Sequence, residues 1–174
     1  MKKDFVMPIL VLTLICLIIS GALAVCAWFT SPLIGSAAAE RATAARREVL
    51  PEADDFELLT PADIPKSITE VYRATNGAGF VFLIETSGYG GDIRLICAID
   101  PRGTIVRTAT LAQSETKGLG SAVFEAPFES QFTGKDKNLD GVSAISGATI
   151  SSKAYINAIK DALAAYESVK GGGK

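Results

Sequence analysis

The sequence lacks histidine altogether and has only three cysteines among its 174 residues. Histidine is the commonest general base and metal ligand that titrates near neutral pH. Its absence excludes a Ser-His-Asp or Cys-His catalytic centre built from this chain alone.

The cysteines are also spaced too widely for a metal cluster. Cys16 and Cys26 lie in a long apolar segment, Cys97 lies in a predicted strand, and no CxxC pair is present. Zinc and iron–sulfur sites are usually built on such pairs, so we predict no metal site. Cys97 is interpreted as a small buried hydrophobic residue.

The sequence also lacks a large excess of positive or negative charge. The sequence has 17 Lys and Arg against 19 Asp and Glu, and its formal net charge is −2. Because no basic face or stripe stands out, we predict no nucleic-acid partner.

The sequence does contain one long uncharged run. Residues 5–29 carry no charged side chain over 25 positions, and a helix needs roughly 20 residues to cross a bilayer. We therefore predict a membrane anchor in residues 1–30. The positive-inside rule places the N-terminus, with Lys2 and Lys3, in the cytoplasm and the rest of the chain on the other side of the membrane.

Two kinds of processed leader are alternatives to the anchor. The small residues at 36–39 would suit signal-peptide cleavage, but the apolar run exceeds the usual length of about 7–15 residues. Ala24-Val25-Cys26 resembles a lipoprotein cleavage site, but Val25 is large for the position before the cysteine.

The composition changes after the anchor. Ser31-Pro32 is predicted to break the helix, and residues 37–50 are rich in helix-forming Ala, Arg and Glu. Residues 52–65 are acidic and contain proline, which is typical of a loop. The predicted division is an anchor at 1–30, a connecting helix and linker at 31–65, a folded domain at 66–170 and a flexible tail at 171–174.

Four strands are predicted in the folded domain. Asn76-Gly77 predicts a hairpin turn between the first pair, and residues 100–103, Asp-Pro-Arg-Gly, predict a turn between the second. Two consecutive hairpins favour an antiparallel sheet. The predicted strands are residues 68–75, 80–86, 93–99 and 104–111.

Helices are predicted after the strands. Phe124, Phe128 and Phe132 recur at helical spacing, although Pro127 indicates a short or irregular helix. Residues 151–169 have the periodicity of a helix packed on a sheet. The predicted fold class is α+β, with a single transmembrane helix followed by an antiparallel sheet flanked by helices.

The segment that ends at Thr149 is the strongest candidate site. Gly147 and Ala148 leave room for a ligand to approach the backbone, and the helix start that follows would favour an anion such as phosphate. Free threonine is a poor nucleophile without a base. The alternative is that Thr149 or Ser146 only caps the last helix.

Two glycine-containing stretches are weaker candidates. Residues 115–120 read Glu-Thr-Lys-Gly-Leu-Gly, and residues 88–91 read Gly-Tyr-Gly-Gly. Taken alone, the first is typical of a turn and the second of a flexible connection.

Together these motifs resemble the G subunit of the Rnf electron-transport complex, and they are similar to the related C subunit of the sodium-translocating NADH:quinone reductase. The family's attachment motif is Asp-Gly-x-x-x-[Ser/Thr]-Gly-Ala-Thr. The family also has a Glu-Thr-Pro-Gly-Leu-Gly loop, in which Lys117 here replaces the proline, and a Gly-Tyr-Gly-Gly stretch before a strand. Asp140, Gly141, Ser146, Gly147, Ala148 and Thr149 carry the named residues of the attachment motif. The length of the chain favours the Rnf protein.

The resemblance implies a flavoprotein. It implies an FMN-binding domain on the outer face of the membrane, with FMN joined through its phosphate to Thr149 by a separate flavin transferase that recognises Asp140 and Gly141. The other implied FMN contacts are Glu115, Thr116, Gly118, Leu119, Gly120, Ser146, Gly147 and Ala148.

The implied function is an electron relay within an ion-pumping membrane complex. The flavin would carry the chemistry, and partner subunits would supply and remove the electrons. A membrane-anchored FMN sensor and an anchored interaction domain without a cofactor are the alternatives.

Overall fold

The computed structural model describes residues 2–118 and 120–171. The chain divides into two compact units, residues Met1–Thr43 and Ala44–Lys174. Leu119 and the glycines at 172 and 173 of the predicted tail lie outside the described residues.

The N-terminal helix, α1, runs from Lys2 to Val49. It contains an apolar window, Ile9–Cys26, with a mean hydropathy of 2.9 and no buried side chains, which is long enough to cross a membrane. The break expected at Ser31-Pro32 is wrong, because α1 continues through both residues. A proline removes one backbone donor, but its fixed φ near −65° is itself helical, so the helix continues at the cost of one hydrogen bond.

The sheet has five antiparallel strands in the order β1-β2-β3-β4-β5. The four predicted strands are confirmed within two residues at each end, whereas β1 lies in the segment expected to be a loop. Pairing with β2, from Phe56 opposite Ala74 to Leu59 opposite Val71, fixes this short strand. The bounds are β1 Phe56–Leu59, β2 Ile68–Ala74, β3 Phe80–Ser87, β4 Asp92–Ile99 and β5 Ile105–Gln113.

Both predicted turns are confirmed. Gly77 has a φ of 77°, and the Ala78 N–H donates to Asn76 Oδ1 at 3.1 Å. In the second turn the Asp100 carboxylate accepts the N–H groups of Arg102 and Thr104, each at 2.9 Å. Burial alone would raise the pKa of Asp100, but these hydrogen bonds and the Arg102 charge lower it.

The last helix, α3, covers one face of the sheet from Thr149 to Val169. Between the sheet and α3 the chain forms a 3-10 turn at Gly120–Phe124, a short helix α2 at Ala126–Glu129 and a second 3-10 turn at Ser130–Phe132. The irregular helix predicted from Pro127 is therefore confirmed. Phe128 and Phe132 pack against Tyr155, with ring centroids 5.4 and 5.1 Å away.

The opposite face of the sheet packs against the C-terminal end of α1. Val49 and Leu50 are fully buried there, and the Arg46 guanidinium lies 4.1 Å from the Tyr72 ring centroid. Residues 44–50 of the expected connecting helix therefore pack in the same compact unit as the sheet. Cys97 is buried as predicted, and burial raises the pKa of its thiol.

Candidate functional site

Thr149 is the first residue of α3, and Ala148 occupies the N-cap position without a side-chain hydrogen bond. The capping role considered for Thr149 or Ser146 is therefore wrong. The first backbone bond at this end joins the Ser152 N–H to the Ala148 carbonyl at 2.9 Å. The N–H groups of the preceding residues, 149–151, have no partner within the helix, as at any helix start.

The surroundings of Thr149 leave its hydroxyl accessible. Thr149 is exposed, and among the described residues no hydrogen bond to its side chain is present. Gly147 has a φ of 85°, and a Cβ placed on it would meet no atom within 4 Å. The glycine is therefore required by the backbone turn, and the space beside the threonine stays open.

A pocket of about 360 Å³ opens beside Thr149, within the usual range of about 300–1,000 Å³ for ligand sites. It joins three separate segments of the chain: the β3–β4 turn, the loop after β5 and the start of α3. Its lining residues are Tyr89, Glu115, Thr116, Gly120, Gly147, Ala148, Thr149, Ile150 and Ser151.

The pocket thus contains six of the residues predicted to contact a cofactor or carry it. Gly118 and Ser146 are not among its lining residues, and Leu119 lies outside the described part of the chain. Gly118 has a φ of 84°, and its N–H donates to Ser121 Oγ at 3.0 Å, so it shapes the loop from outside the lining.

The spacing of the attachment motif in this chain differs from that of the family. Four residues, 142–145, separate Gly141 from Ser146, whereas Asp-Gly-x-x-x-[Ser/Thr]-Gly-Ala-Thr has three. Only the Ser-Gly-Ala-Thr part matches without a gap. Asp140 and Gly141 form a separate exposed turn, in which the Lys135 ammonium donates to the Asp140 carbonyl oxygen at 2.6 Å.

Glu115 connects the pocket to the β3–β4 hairpin. Its side chain is 9% exposed, and its Oε1 accepts the N–H of Tyr89 at 2.6 Å. The hairpin itself closes through the Gly88 N–H and the Gly91 carbonyl at 2.8 Å. Residues 88–91 therefore form a defined turn, and the flexible connection considered for them is wrong.

Three residues that line the pocket were not predicted as site residues from the sequence: Tyr89, Ile150 and Ser151. Tyr89 is 75% exposed and Ile150 57% exposed, so both form the rim of the pocket. Ser151 is 1% exposed, and its hydroxyl has no hydrogen-bond partner among the described residues. A serine on the buried face of an amphipathic helix, two positions after Thr149, is the sequence signal that would have found it.

The electrostatics of the pocket come from the backbone. The lining residues include no lysine or arginine, and Glu115 is their one carboxylate. The positive end of α3 is therefore the main attraction for an anion. Since Glu115 already accepts a hydrogen bond and the chain has no histidine, the pocket does not offer Thr149 an evident base.

Comparison with known proteins agrees with this geometry. Residues 88–164, which include every lining residue of the pocket, match a family described as an FMN-binding domain.

Three relatives are similar over most of their length. The G subunit of the Na+-translocating ferredoxin:NAD+ oxidoreductase complex of Acetobacterium woodii is 28% identical, covering 92% of this chain and 90% of that protein. The G subunit of the proton-translocating ferredoxin:NAD+ oxidoreductase complex of Clostridium ljungdahlii is 28% identical, covering 92% and 91%. The G subunit of the ion-translocating oxidoreductase complex of Methanosarcina acetivorans is 34% identical, covering 72% and 74%.

Proposed function

Because the chain belongs to the family of G subunits of ion-translocating oxidoreductase complexes, we propose that it is the membrane-anchored electron-transfer component of such a complex. It relays electrons through FMN that is joined by a phosphoester to Thr149. The observation that carries this proposal is the exposed Thr149 hydroxyl at the start of α3, inside a pocket shared with the loop at 115–120.

The donor set of the pocket fits FMN. A phosphodiester that joins Thr149 to the ribityl chain of the flavin would carry one negative charge beside the unpaired N–H groups of the first turn of α3, which favour negative charge. The exposed rim side chains, Tyr89 and Ile150, offer aromatic and aliphatic surface to a planar ring system. Ser151 adds one unpartnered hydroxyl, which suits a polar atom of the ligand.

The lack of basic lining residues favours a covalent attachment. A freely exchanging FMN carries a charged phosphate, and binding sites for phosphate commonly use arginine or lysine as well as backbone N–H groups. In this pocket only backbone N–H groups are available to bind the phosphate. A covalent bond to Thr149 Oγ1 makes further affinity for the phosphate unnecessary. A tether also prevents loss of the flavin on the outer side of the membrane.

The attachment chemistry requires a second protein. Thr149 Oγ1 forms a bond to the flavin-side phosphorus of FAD, the pyrophosphate P–O bond breaks, and AMP leaves. The hydroxyl proton passes to a base of the flavin transferase, since the pocket lacks an evident base. The exposed turn at Asp140 and Gly141 remains the proposed recognition element for that enzyme.

The bound flavin supplies reversible electron transfer, and the chain supplies its position. Thr149 and the start of α3 hold the phosphate end, while the loop at 115–120 and the turn at 88–91 bound the opposite side of the pocket. The chain has no histidine and no CxxC pair, so we assign entry and exit of electrons to the other subunits of the complex.

The chain is membrane-anchored, and we propose that its N-terminus is cytoplasmic and its FMN domain extracytoplasmic. The support is the apolar window Ile9–Cys26 together with the early lysines, Lys2 and Lys3. A reporter fused after Lys174 should be active when it requires export and inactive when it requires the cytoplasm. The opposite pattern would reverse the assignment.

The attachment is tested by mass analysis of the full chain produced with and without a flavin transferase. The chain made with the transferase should gain the mass of one FMN residue, and the peptide covering residues 138–153 should carry it. A chain that remains unmodified with an active transferase, or a modification mapped elsewhere, would contradict the proposal.

A further inference from the structure

The carboxylate of Glu115 lies among three glycines that come from two separate segments. A Cβ placed on Gly88 would collide with Glu115 Oε1, and it would lie 3.2 Å from the Cδ of the same side chain. A Cβ on Gly120 would collide with Oε2 and lie 2.9 Å from Cδ. A Cβ on Gly90 would lie 3.0 Å from Glu115 Cα and 2.7 Å from the Ser114 carbonyl oxygen.

These contacts differ from those of the other glycines near the pocket. Gly118 and Gly147 have positive φ angles, and a Cβ on either would meet no atom within 4 Å. Gly88 and Gly120 have no such φ and are instead sites of close packing. Their small size makes room for a side chain of the protein itself.

We propose that Glu115 is a positioning residue that clamps the 88–91 turn to the 115–120 loop and so fixes one side of the flavin pocket. Its Oε1 holds the Tyr89 N–H at 2.6 Å, and its other oxygen packs against Gly120. The clamp sets where the Tyr89 side chain stands at the rim. The effect on the flavin rests on the proposed function, whereas the clamp itself exists without any flavin.

In the clamp, the glycines make room for the Glu115 carboxylate. The alternative is that they allow the flavin ring to approach the backbone closely. If the glycines serve Glu115, a methyl group at residue 120 displaces the carboxylate and frees the Tyr89 amide, although the two residues are far apart in sequence. If they serve the flavin, the same methyl group disturbs the flavin and leaves the Tyr89 amide bonded. The two explanations therefore predict opposite behaviour of one backbone N–H.

The first test measures hydrogen exchange of the Tyr89 amide in the full chain in detergent, including the Thr149→Ala variant that cannot carry flavin. Gly120→Ala and Glu115→Ala should each speed exchange by about tenfold or more, the effect of losing one charge-assisted hydrogen bond. Glu115→Gln keeps an acceptor of the same shape and should stay within about threefold of the wild type. Gly134→Ala, at a glycine with a φ of 76° outside the pocket lining, introduces a similar backbone strain away from the carboxylate; it is the matched control, and its Tyr89 amide should stay protected.

The second test uses the flavin-loaded chain. Gly120→Ala and Glu115→Ala should each shift the flavin absorbance spectrum or redox potential, and the double variant should shift them no further than Glu115→Ala alone. Additive shifts would mean that Gly120 faces the flavin directly.

The outcomes separate this inference from the proposed function. A Tyr89 amide that exchanges freely in the wild type, or that stays protected in Gly120→Ala, overturns the clamp even if FMN is attached. A protected amide in a chain that never gains FMN supports the clamp and rejects the attachment. If Glu115→Ala does not fold, Gly120→Ala and Glu115→Gln still decide the question.

Discussion

The two sides of the pocket are built on different principles. The attachment wall, residues 147–151, is open: Thr149 and Ile150 are exposed, and Gly147 has free space beside it. The glycine wall, residues 88–91 with 115–118 and 120, is closed around the buried carboxylate of Glu115.

This difference matches two separate requirements. A residue that another enzyme must modify has to be reachable, so its neighbours are small and its hydroxyl is exposed. A surface that positions a planar ring has to be rigid, so its backbone is held by internal packing and hydrogen bonds. Under the proposed function, the attachment wall would determine whether flavin is present, and the glycine wall would determine how it is held.

The largest effect expected is on the attachment wall. Thr149→Ala removes the hydroxyl that would carry the phosphoester, so covalent flavin should disappear completely while the fold survives, because Thr149 is exposed and is not the N-cap. Ser143→Ala removes another exposed hydroxyl from the same loop, outside the Ser-Gly-Ala-Thr stretch, and should leave the attachment in place. In-gel flavin fluorescence and peptide mass spectrometry measure both.

Thr149→Ser sharpens the same test. It keeps a hydroxyl and should retain part of the attachment. Covalent flavin that persists in Thr149→Ala would show that another residue is the acceptor.

A smaller effect is expected from Gly118→Val on the glycine wall. Gly118 has a φ of 84°, and a β-branched residue there is strained by roughly 1–3 kcal/mol, which should distort the loop. The flavin spectrum or redox potential should change while the tether remains. An unchanged spectrum and potential in a folded variant would show that this part of the loop does not influence the flavin.

Two buried serines at the start of α3 are expected to have different roles. Ser152 Oγ accepts the Ile145 N–H at 3.0 Å, so Ser152→Ala should reduce the free energy of unfolding by about 1–2 kcal/mol. Ser151 has no partner among the described residues, so Ser151→Ala should change stability by less than about 0.5 kcal/mol in the flavin-free chain. It should instead alter the flavin spectrum. Denaturant unfolding and absorbance separate the two roles, and equal stability losses would contradict the comparison.

The smallest effect is expected at Glu129, a carboxylate outside both walls. Burial raises its pKa, although hydrogen bonds from Thr110 act in the opposite direction. The folded state therefore binds more protons than the unfolded state between the ordinary glutamate pKa and the raised one, and stability falls as pH rises through that window.

Glu129→Gln should flatten this part of the stability profile. The amide oxygen can still accept the Thr110 hydroxyl, which lies 2.6 Å from Glu129 Oε1 in the wild type. At neutral pH the variant should be more stable by less than about 1 kcal/mol. Thermal unfolding measured from pH 4 to 8 checks the slope, and a steeper profile in the variant would contradict the assignment.

Much of the fold could be predicted because the turn residues of the sequence favour the same hairpins that the strand pairing forms. Asn76-Gly77 and the turn at 100–103 specify tight turns through their own backbone preferences, so the hairpins and four strands followed. β1 could not be predicted, because a four-residue strand in an acidic segment depends on β2 for its stability. The continuity of α1 through Pro32 was missed because a proline, although it lacks a backbone donor, has a φ that a helix can accommodate.

The candidate site was predicted unevenly. The Ser-Gly-Ala-Thr stretch and the position of Thr149 near a helix start are contiguous features, and they were found. Tyr89 and Ser151 join the pocket through contacts with residues distant in the chain. Tyr89 carries no local signal that outweighs its interpretation as a turn residue, whereas the polar side chain of Ser151 on the buried face of α3 is such a signal and was missed.

The sequence by itself determined the apolar N-terminal span, the antiparallel hairpins, the amphipathic last helix and the lack of any histidine-based chemistry. These follow from composition, periodicity and turn preferences, which act over a few residues. Only the tertiary structure decided that the end of α1 belongs to the folded domain, that three separate segments form one pocket, and that Gly88 and Gly120 enclose a carboxylate. Those features depend on which atoms lie within a few ångströms of each other after folding, and such distances are set by packing between remote parts of the chain.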